Sequence, residues 1–361
     1  MSSSGSTWHI LPREVSETAE FAIGCSGCFP ILPCMDLGAP VGNEAALAGR
    51  QRIVGLVALV ATVLLWSTFA LTIRAIGTSS LTTLDVALLR FTVPVVLLAP
   101  WSLRAFRAVR RQRTAVRLAV LSAGLPHFLV MALGGHLTSA ALVGLLVPGT
   151  VPLFVSLLAF IVWRRRITAI QAVALIAISV GVALSASQSV SREMTGGIIV
   201  LLGAGFVWGI YTLGLRASTL MPIDVVLYVG SLSAVAAVVL ALSGAMPSHL
   251  LAGTARLHDV LMFGLLQGVG TGVLSTVAYA TAVRQLGSGV AAASGAVTPV
   301  LTAVLAVPIL GEALPSSLLL PLTLIAAGVA VFNLLGDRSL RGARGIALSA
   351  RTRRRAATGH A

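Results

Sequence analysis

From Ala291 to Gly311 the chain reads AAASGAVTPVLTAVLAVPILG, 21 residues without a charged side chain, before it reaches Glu312 and Pro315. A helix needs about 20 apolar residues to cross the hydrocarbon of a bilayer. Comparable runs succeed one another along the chain, separated by short connections, several of which bear arginine. Of the 361 residues, 57% are hydrophobic and only 10% are charged, and the mean hydropathy is +0.98. A soluble domain carries about 25% charged residues, so this chain cannot build a water-facing surface and belongs in a membrane. Backbone groups in lipid must be paired within the chain, which excludes open sheets. A β-barrel would alternate apolar and polar residues in strands of about 10 residues. The runs here do not alternate, and the expected fold class is an all-α integral membrane protein.

The same pattern occurs twice. Pro152 to Arg165 spans 13 positions, as does Pro299 to Glu312, and the same two prolines lie 29 positions before Gly181 and Gly328, each of which opens Gly-Val-Ala. Trp66 and Arg74 are 8 apart, Trp208 and Arg216 are 8 apart, and each arginine precedes an alanine. Three matched spacings in one chain point to internal duplication. Ten spans are expected, at 53–75, 83–101, 115–134, 139–162, 167–186, 196–215, 223–243, 260–282, 288–310 and 316–336. They divide into a first five-helix repeat over 50–190 and a second over 191–336, preceded by a disordered tail at 1–49 and succeeded by an arginine-rich tail at 337–361.

The arginines set the orientation, because short cytoplasmic loops collect them. With the N-terminus inside, 21 of the 25 arginines fall on the inner side, three (Arg74, Arg192 and Arg256) fall outside, and Arg90 lies within a span. Both termini are therefore expected in the cytoplasm, with the protein in the cell (inner) membrane. Five spans per repeat invert the second copy relative to the first. Arg164, Arg165 and Arg166 then end span four inside, whereas the matching Gly311 and Glu312 end span nine outside. Inverted repeats of this kind are the architecture of secondary transporters, which rock one half against the other around a site near the midplane.

The net charge of +14 does not indicate nucleic acid, because nearly all the basic residues lie in short loops and the C-terminal tail. The three cysteines, Cys25, Cys28 and Cys34, all lie in the N-terminal tail. They make no disulfide framework and fall short of the four ligands of a structural zinc site. Met35 offers an alternative start that would exclude residues 1–34. The chain shows no phosphate-binding lysine motif, metal-ligand spacing or nucleophile elbow, so neither catalytic residues nor a cofactor or metal is expected.

The motifs themselves resemble the drug/metabolite transporter superfamily, specifically its ten-helix EamA-type members. Thr298-Pro299-Val300-Leu301-Thr302 through Gly311-Glu312 resembles that family's Pro-to-Gly-Glu signature; Pro152-Leu153-Phe154 resembles its first-copy counterpart, with Arg165 in place of the glutamate. Trp66-Ser67 and Trp208-Gly209-Ile210-Tyr211 resemble the tryptophan near the end of each repeat's first helix, and Ala87-Leu88-Leu89-Arg90-Phe91 resembles an Ala-Leu-Arg-Phe element of the second. The resemblance covers about residues 53–336. It implies export of small metabolites or drug-like molecules without ATP.

Candidate site residues are those that are out of place in lipid. His127 falls near the middle of span three. An ionisable group there faces a cavity or the bundle interior, and a reference pKa of ~6.5 suits proton exchange; the alternative is a histidine bonded to a carbonyl freed by Pro126. Trp66, Trp208 and Tyr211 are candidate cavity-lining aromatics, suited to amphipathic or cationic ligands, unless they anchor at the headgroups. Gln267, between glycines of span eight, is a candidate polar contact. Arg90 is expected to pair structurally, Glu312 to form a turn, and Pro152 and Pro299 to kink their helices as hinges. Asp85 and Asp224 sit where helices start and read as caps. The expected function is a secondary transporter working by alternating access, with a small-molecule substrate, the lipid bilayer and a proton or other coupling ion as partners and a homodimer left open. The competing reading is a non-transporting membrane sensor or scaffold on the same bundle.

Overall fold

The computed structural model describes residues 44–164, 167–187, 191–286, 290–291 and 294–334. The cysteine cluster, the tail up to residue 43, Arg165 and the arginine-rich C-terminal tail lie outside the described residues. The chain separates into two units, Met1–Ala48 and Gly49–Ala361, and the second holds the helical bundle. The described residues form helices and connections, with no strand among them.

The helices are α1 (Glu44–Ala75), α2 (Thr83–Leu97), α3 (Ser102–Arg110), α4 (Thr114–Leu121), α5 (Leu125–Leu137), α6 (Ala140–Trp163), α7 (Ala169–Ser187), α8 (Arg192–Arg216), α9 (Pro222–Leu242), α10 (Leu257–Phe263), α11 (Ser275–Leu286) and α12 (Val297–Leu310). A π-helical segment, Gly264–Leu274, joins α10 to α11, and a last helical stretch covers Ser316–Leu334. Among the described residues, eight stretches are long and apolar enough to cross a membrane; α2 and the adjoining Ala99–Arg110 make a ninth if counted as one span bent by 69°. Ser294–Leu310 is apolar but shorter. The molecule is a multi-pass membrane protein.

Its outside is what lipid requires. Val57, Ile161, Val173, Ile176, Val235 and Val239 are each exposed by more than half, a pattern that would be costly in water and is neutral against acyl chains. Inside, α8 packs along α5 and α6, and α2 packs along α9 and the π-helical segment.

Several boundaries differ from expectation. Residues 44–49, expected as tail, open α1. The second span stops at Leu97, where Pro94 and the turn Ala99–Trp101, with Pro100, end the helix and redirect the chain. Pro299 does not kink the middle of a span as expected. It sits instead in the first turn of α12, behind the 3-10 turn Ser294–Ala296, where its missing N–H removes no interior bond. Beyond the first turn of α1–α12, the prolines are Pro94, Pro148, Pro152 and Pro308.

Two local features recur at matched positions. Asp85 accepts a bond from the Thr82 N–H at 2.9 Å, and Asp224 accepts one from the Met221 N–H at 3.0 Å, so both aspartates cap as expected. Arg164, 12 residues after Pro152, ends α6 in the left-handed conformation (φ 52°), and Gly311, 12 residues after Pro299, ends α12 likewise (φ 66°). Such a residue closes a helix by letting its N–H turn back to the last carbonyls.

Candidate functional site

A polar and aromatic cluster lies within the bundle, assembled from α1, α2, α5, α8 and the π-helical segment. Its base is Arg90, the eighth residue of the 15-residue α2. At a rise of ~1.5 Å per residue, the guanidinium stems from a point about 10 Å from either helix end. Its Nη1 donates to Gln267 Oε1 at 2.6 Å and to Thr271 Oγ1 at 2.9 Å. The amide of Gln267 then donates to Thr72 Oγ1 on α1 at 2.6 Å. Gln267 and Thr72 are buried, at 0% and 4% exposure.

The π-helical segment makes this possible. Its sequence, GLLQGVGTGVL, carries four glycines in 11 residues. Glycine weakens the α-helix, and a widened turn is tolerated where no bulky side chains crowd it. A Cβ at Gly268 would lie 2.7 Å from Val93 Cβ, and one at Gly272 would lie 2.5 Å from Pro94 Cγ. The missing side chains therefore let the segment press against α2 and bring Gln267 and Thr271 onto Arg90. Runs of π-helix are rare and gather at functional sites.

Three phenylalanines surround the guanidinium. Its carbon lies 4.4 Å from the ring centre of Phe69 and 5.8 Å from those of Phe91 and Phe128, within the range of cation–π attraction. Phe91 and Phe128 also meet edge to face at 6.0 Å. His127, next in the chain to Phe128, is 3% exposed and meets Trp208 at 4.9 Å with the rings tilted by 46°, and Trp208 in turn meets Tyr211 at 4.9 Å. The His127 Nε2 has no hydrogen-bond partner among the described residues. Trp66 packs on Tyr279 of α11 at 5.2 Å.

The expected candidates thus separate into three places. His127, Trp208, Tyr211, Gln267 and Arg90 belong to one connected region, and Trp66 faces a different helix. Glu312 sits at the end of the bundle. Its Oε1 accepts from Arg74 Nε at 3.0 Å and its Oε2 from the Ala140 N–H at 2.9 Å. It is therefore a tie between the ends of α1 and α12 and the start of α6, which is more than the turn residue expected. Nearby, Ser80 bonds Asp259 through its N–H and hydroxyl, and Ser248 and the His249 N–H donate to Asp85. Thr72, Thr271, Phe69 and Phe128 belong to this candidate site by contact and are missed by sequence reasoning. Thr271 carries the one usable signal, a position four residues after Gln267 on a helix; an isolated Phe or Thr in a membrane helix carries none.

These observations define a multi-pass helical membrane protein with a buried polar site enclosed by aromatic rings. Residues 195–334 match the model of the EamA-like transporter family. Fifteen chains of solved structures match it. One, described only as "Crystal structure of protein", is 20% identical with a TM-score of 0.53, over 80% of this chain and 98% of that one. At that identity the likeness concerns the fold alone. No curated protein matches significantly.

Proposed function

We propose that the protein is a secondary transporter that moves a small solute by alternating access, with the Arg90–Gln267–His127–Trp208 region as its solute site. The observation that carries this reading is the Arg90–Gln267–Thr72 chain of bonds: a charged group held by neutral partners deep among apolar helices. Ionisable residues at such depth are costly and mark solute or ion pathways. The cluster draws Thr72, Arg90 and His127 from the first half of the chain and Trp208 and Gln267 from the second, which is where a site worked by two rocking halves belongs.

The ten-span, two-repeat architecture is part of the same proposal. The bent α2–α3 pair and the short α12 supply the spans beyond eight. The paired aspartate caps and paired left-handed helix ends support the duplication. The central cavity would lie between spans one, three, four, six, eight and nine, with span two adding Arg90. We place the protein in the inner membrane with both termini in the cytoplasm, acting as an exporter. Pro152, interior to α6, is the hinge candidate that keeps a physical basis.

Flux into proteoliposomes across a panel of amino acids, nucleosides and charged dyes tests this reading. Saturable movement of one class, abolished by Arg90→Gln or Trp208→Ala, is the expected result. Tight ligand binding with no movement of any solute would instead favour a sensor built on the same bundle.

A further inference from the structure

Arg90 carries a positive charge that no acid among the described residues balances. Both its hydrogen-bond partners, Gln267 and Thr271, are neutral, and Phe69, Phe91 and Phe128 offer only ring faces. The acids of the described residues lie at helix ends. Asp85 is engaged by Thr82, Ser248, His249 and Leu250; Asp224 by Met221; Asp259 by Ser80; and Glu312 by Arg74 and Ala140. Glu193 is in the first turn of α8, and Glu44 is the first residue of α1. A guanidinium presents five N–H donors in a rigid fork, and among the described residues Nη1 alone is engaged by protein. Arg90 is only partly buried, which leaves part of the side chain open to an incoming group. The unpartnered Nε2 of His127, 3% exposed, belongs to the same region through Phe128.

We infer that the solute is a small organic anion: a carboxylate, sulfonate or phosphate headgroup that takes the open fork of Arg90, on an apolar or aromatic body that lies among the aromatic rings. An oxyanion matches the planar fork with two parallel bonds and supplies the charge missing from the bundle. The Trp and Tyr faces by themselves would also suit a cation, but an unbalanced guanidinium repels one. This inference rests on the transporter reading for its biological sense, while the binding it describes stands without it.

The test uses the purified full chain in detergent and two permanently charged probes with the same ring, benzenesulfonate and benzyltrimethylammonium, monitored by tryptophan fluorescence and thermal shift. Benzenesulfonate is expected to bind saturably and raise the melting temperature, and the ammonium probe is not. Arg90→Gln should weaken benzenesulfonate at least roughly tenfold, with Arg90→Lys recovering part of the loss because it restores charge without the fork. Equal or tighter binding of the ammonium probe, no binding of the sulfonate, or sulfonate binding indifferent to Arg90→Gln overturns the inference. If Arg90→Gln does not fold, the discrimination between the two probes by the unsubstituted protein still decides. Proteoliposome flux separates the two readings: sulfonate bound but never moved defeats transport and keeps the anion site, and ammonium moved with no sulfonate bound does the reverse.

Discussion

His127 shows how a single side chain changes meaning once its neighbours are known. In the sequence it is an ionisable group at mid-depth. In the structure it has a tryptophan ring against one face, almost no exposure, and a ring nitrogen without a partner among the described residues. An unsatisfied buried polar atom costs about 1–3 kcal/mol, and native structures keep few of them, at places where a role, an ion or a water accounts for them. His127→Leu is therefore expected to leave the melting temperature unchanged or raised while flux falls several-fold. A clear drop in melting temperature would show that the histidine is structural. Trp208 makes a paired prediction: Trp208→Phe keeps a ring against His127 and should retain most flux, whereas Trp208→Ala should not, as read by transport at matched protein levels. His127 and Trp208 can each be picked out by chemistry and depth. That they touch cannot, because contact between α5 and α8 depends on how the helices cross.

At the scale of elements, the π-helical segment and the Glu312 tie do most to shape the site. Gly268→Leu would drive a side chain into Val93. Overpacking of this kind costs roughly 1–3 kcal/mol, and here it would also lift Gln267 away from Arg90. The expected result is a lowered melting temperature together with loss of solute binding; normal binding would show that the segment's approach to α2 is not what assembles the site. Glu312 joins three helix ends through two charge-assisted bonds. Bonds to charged groups contribute about 1.5–3 kcal/mol when enclosed, and exposed ion pairs about 0–1. Since Arg74 is the more exposed partner, most of the stabilisation lies with the Ala140 N–H at the start of α6. Glu312→Gln should then cost more than Arg74→Gln in thermal unfolding, and the charge swap Arg74→Glu with Glu312→Arg should rescue little. Full rescue by the swap would transfer the weight to the ion pair. The glycine-rich composition around Gln267 is visible in the chain, but a π-helix is not, since periodicity cannot separate it from an α-helix over 11 residues.

For the whole molecule, the arginine distribution predicts where each terminus lies, and the chain carries its own reporter. All three cysteines are in the N-terminal tail, so a membrane-impermeant maleimide should label the unmodified protein only in inverted vesicles. A second variant without those cysteines and with Gly359→Cys should behave the same way. Labelling of the two termini from opposite sides would rule out an even number of spans, and with it the pair of oppositely inserted repeats.

Composition and the length of the uncharged runs determined on their own that this chain is a bundle of membrane helices. These are bulk properties: lipid accepts no unpaired backbone and few charges, whatever the order of contacts. Spacing suggested the duplication for a similar reason, since a helical repeat preserves register. What tertiary structure decided was partnership. Arg90 was expected to find a structural partner, and packing gave it an amide, a hydroxyl and three rings. Which donors and acceptors meet across helices distant in sequence is set by crossing geometry and by where glycines allow close approach, and neither is encoded in any single span.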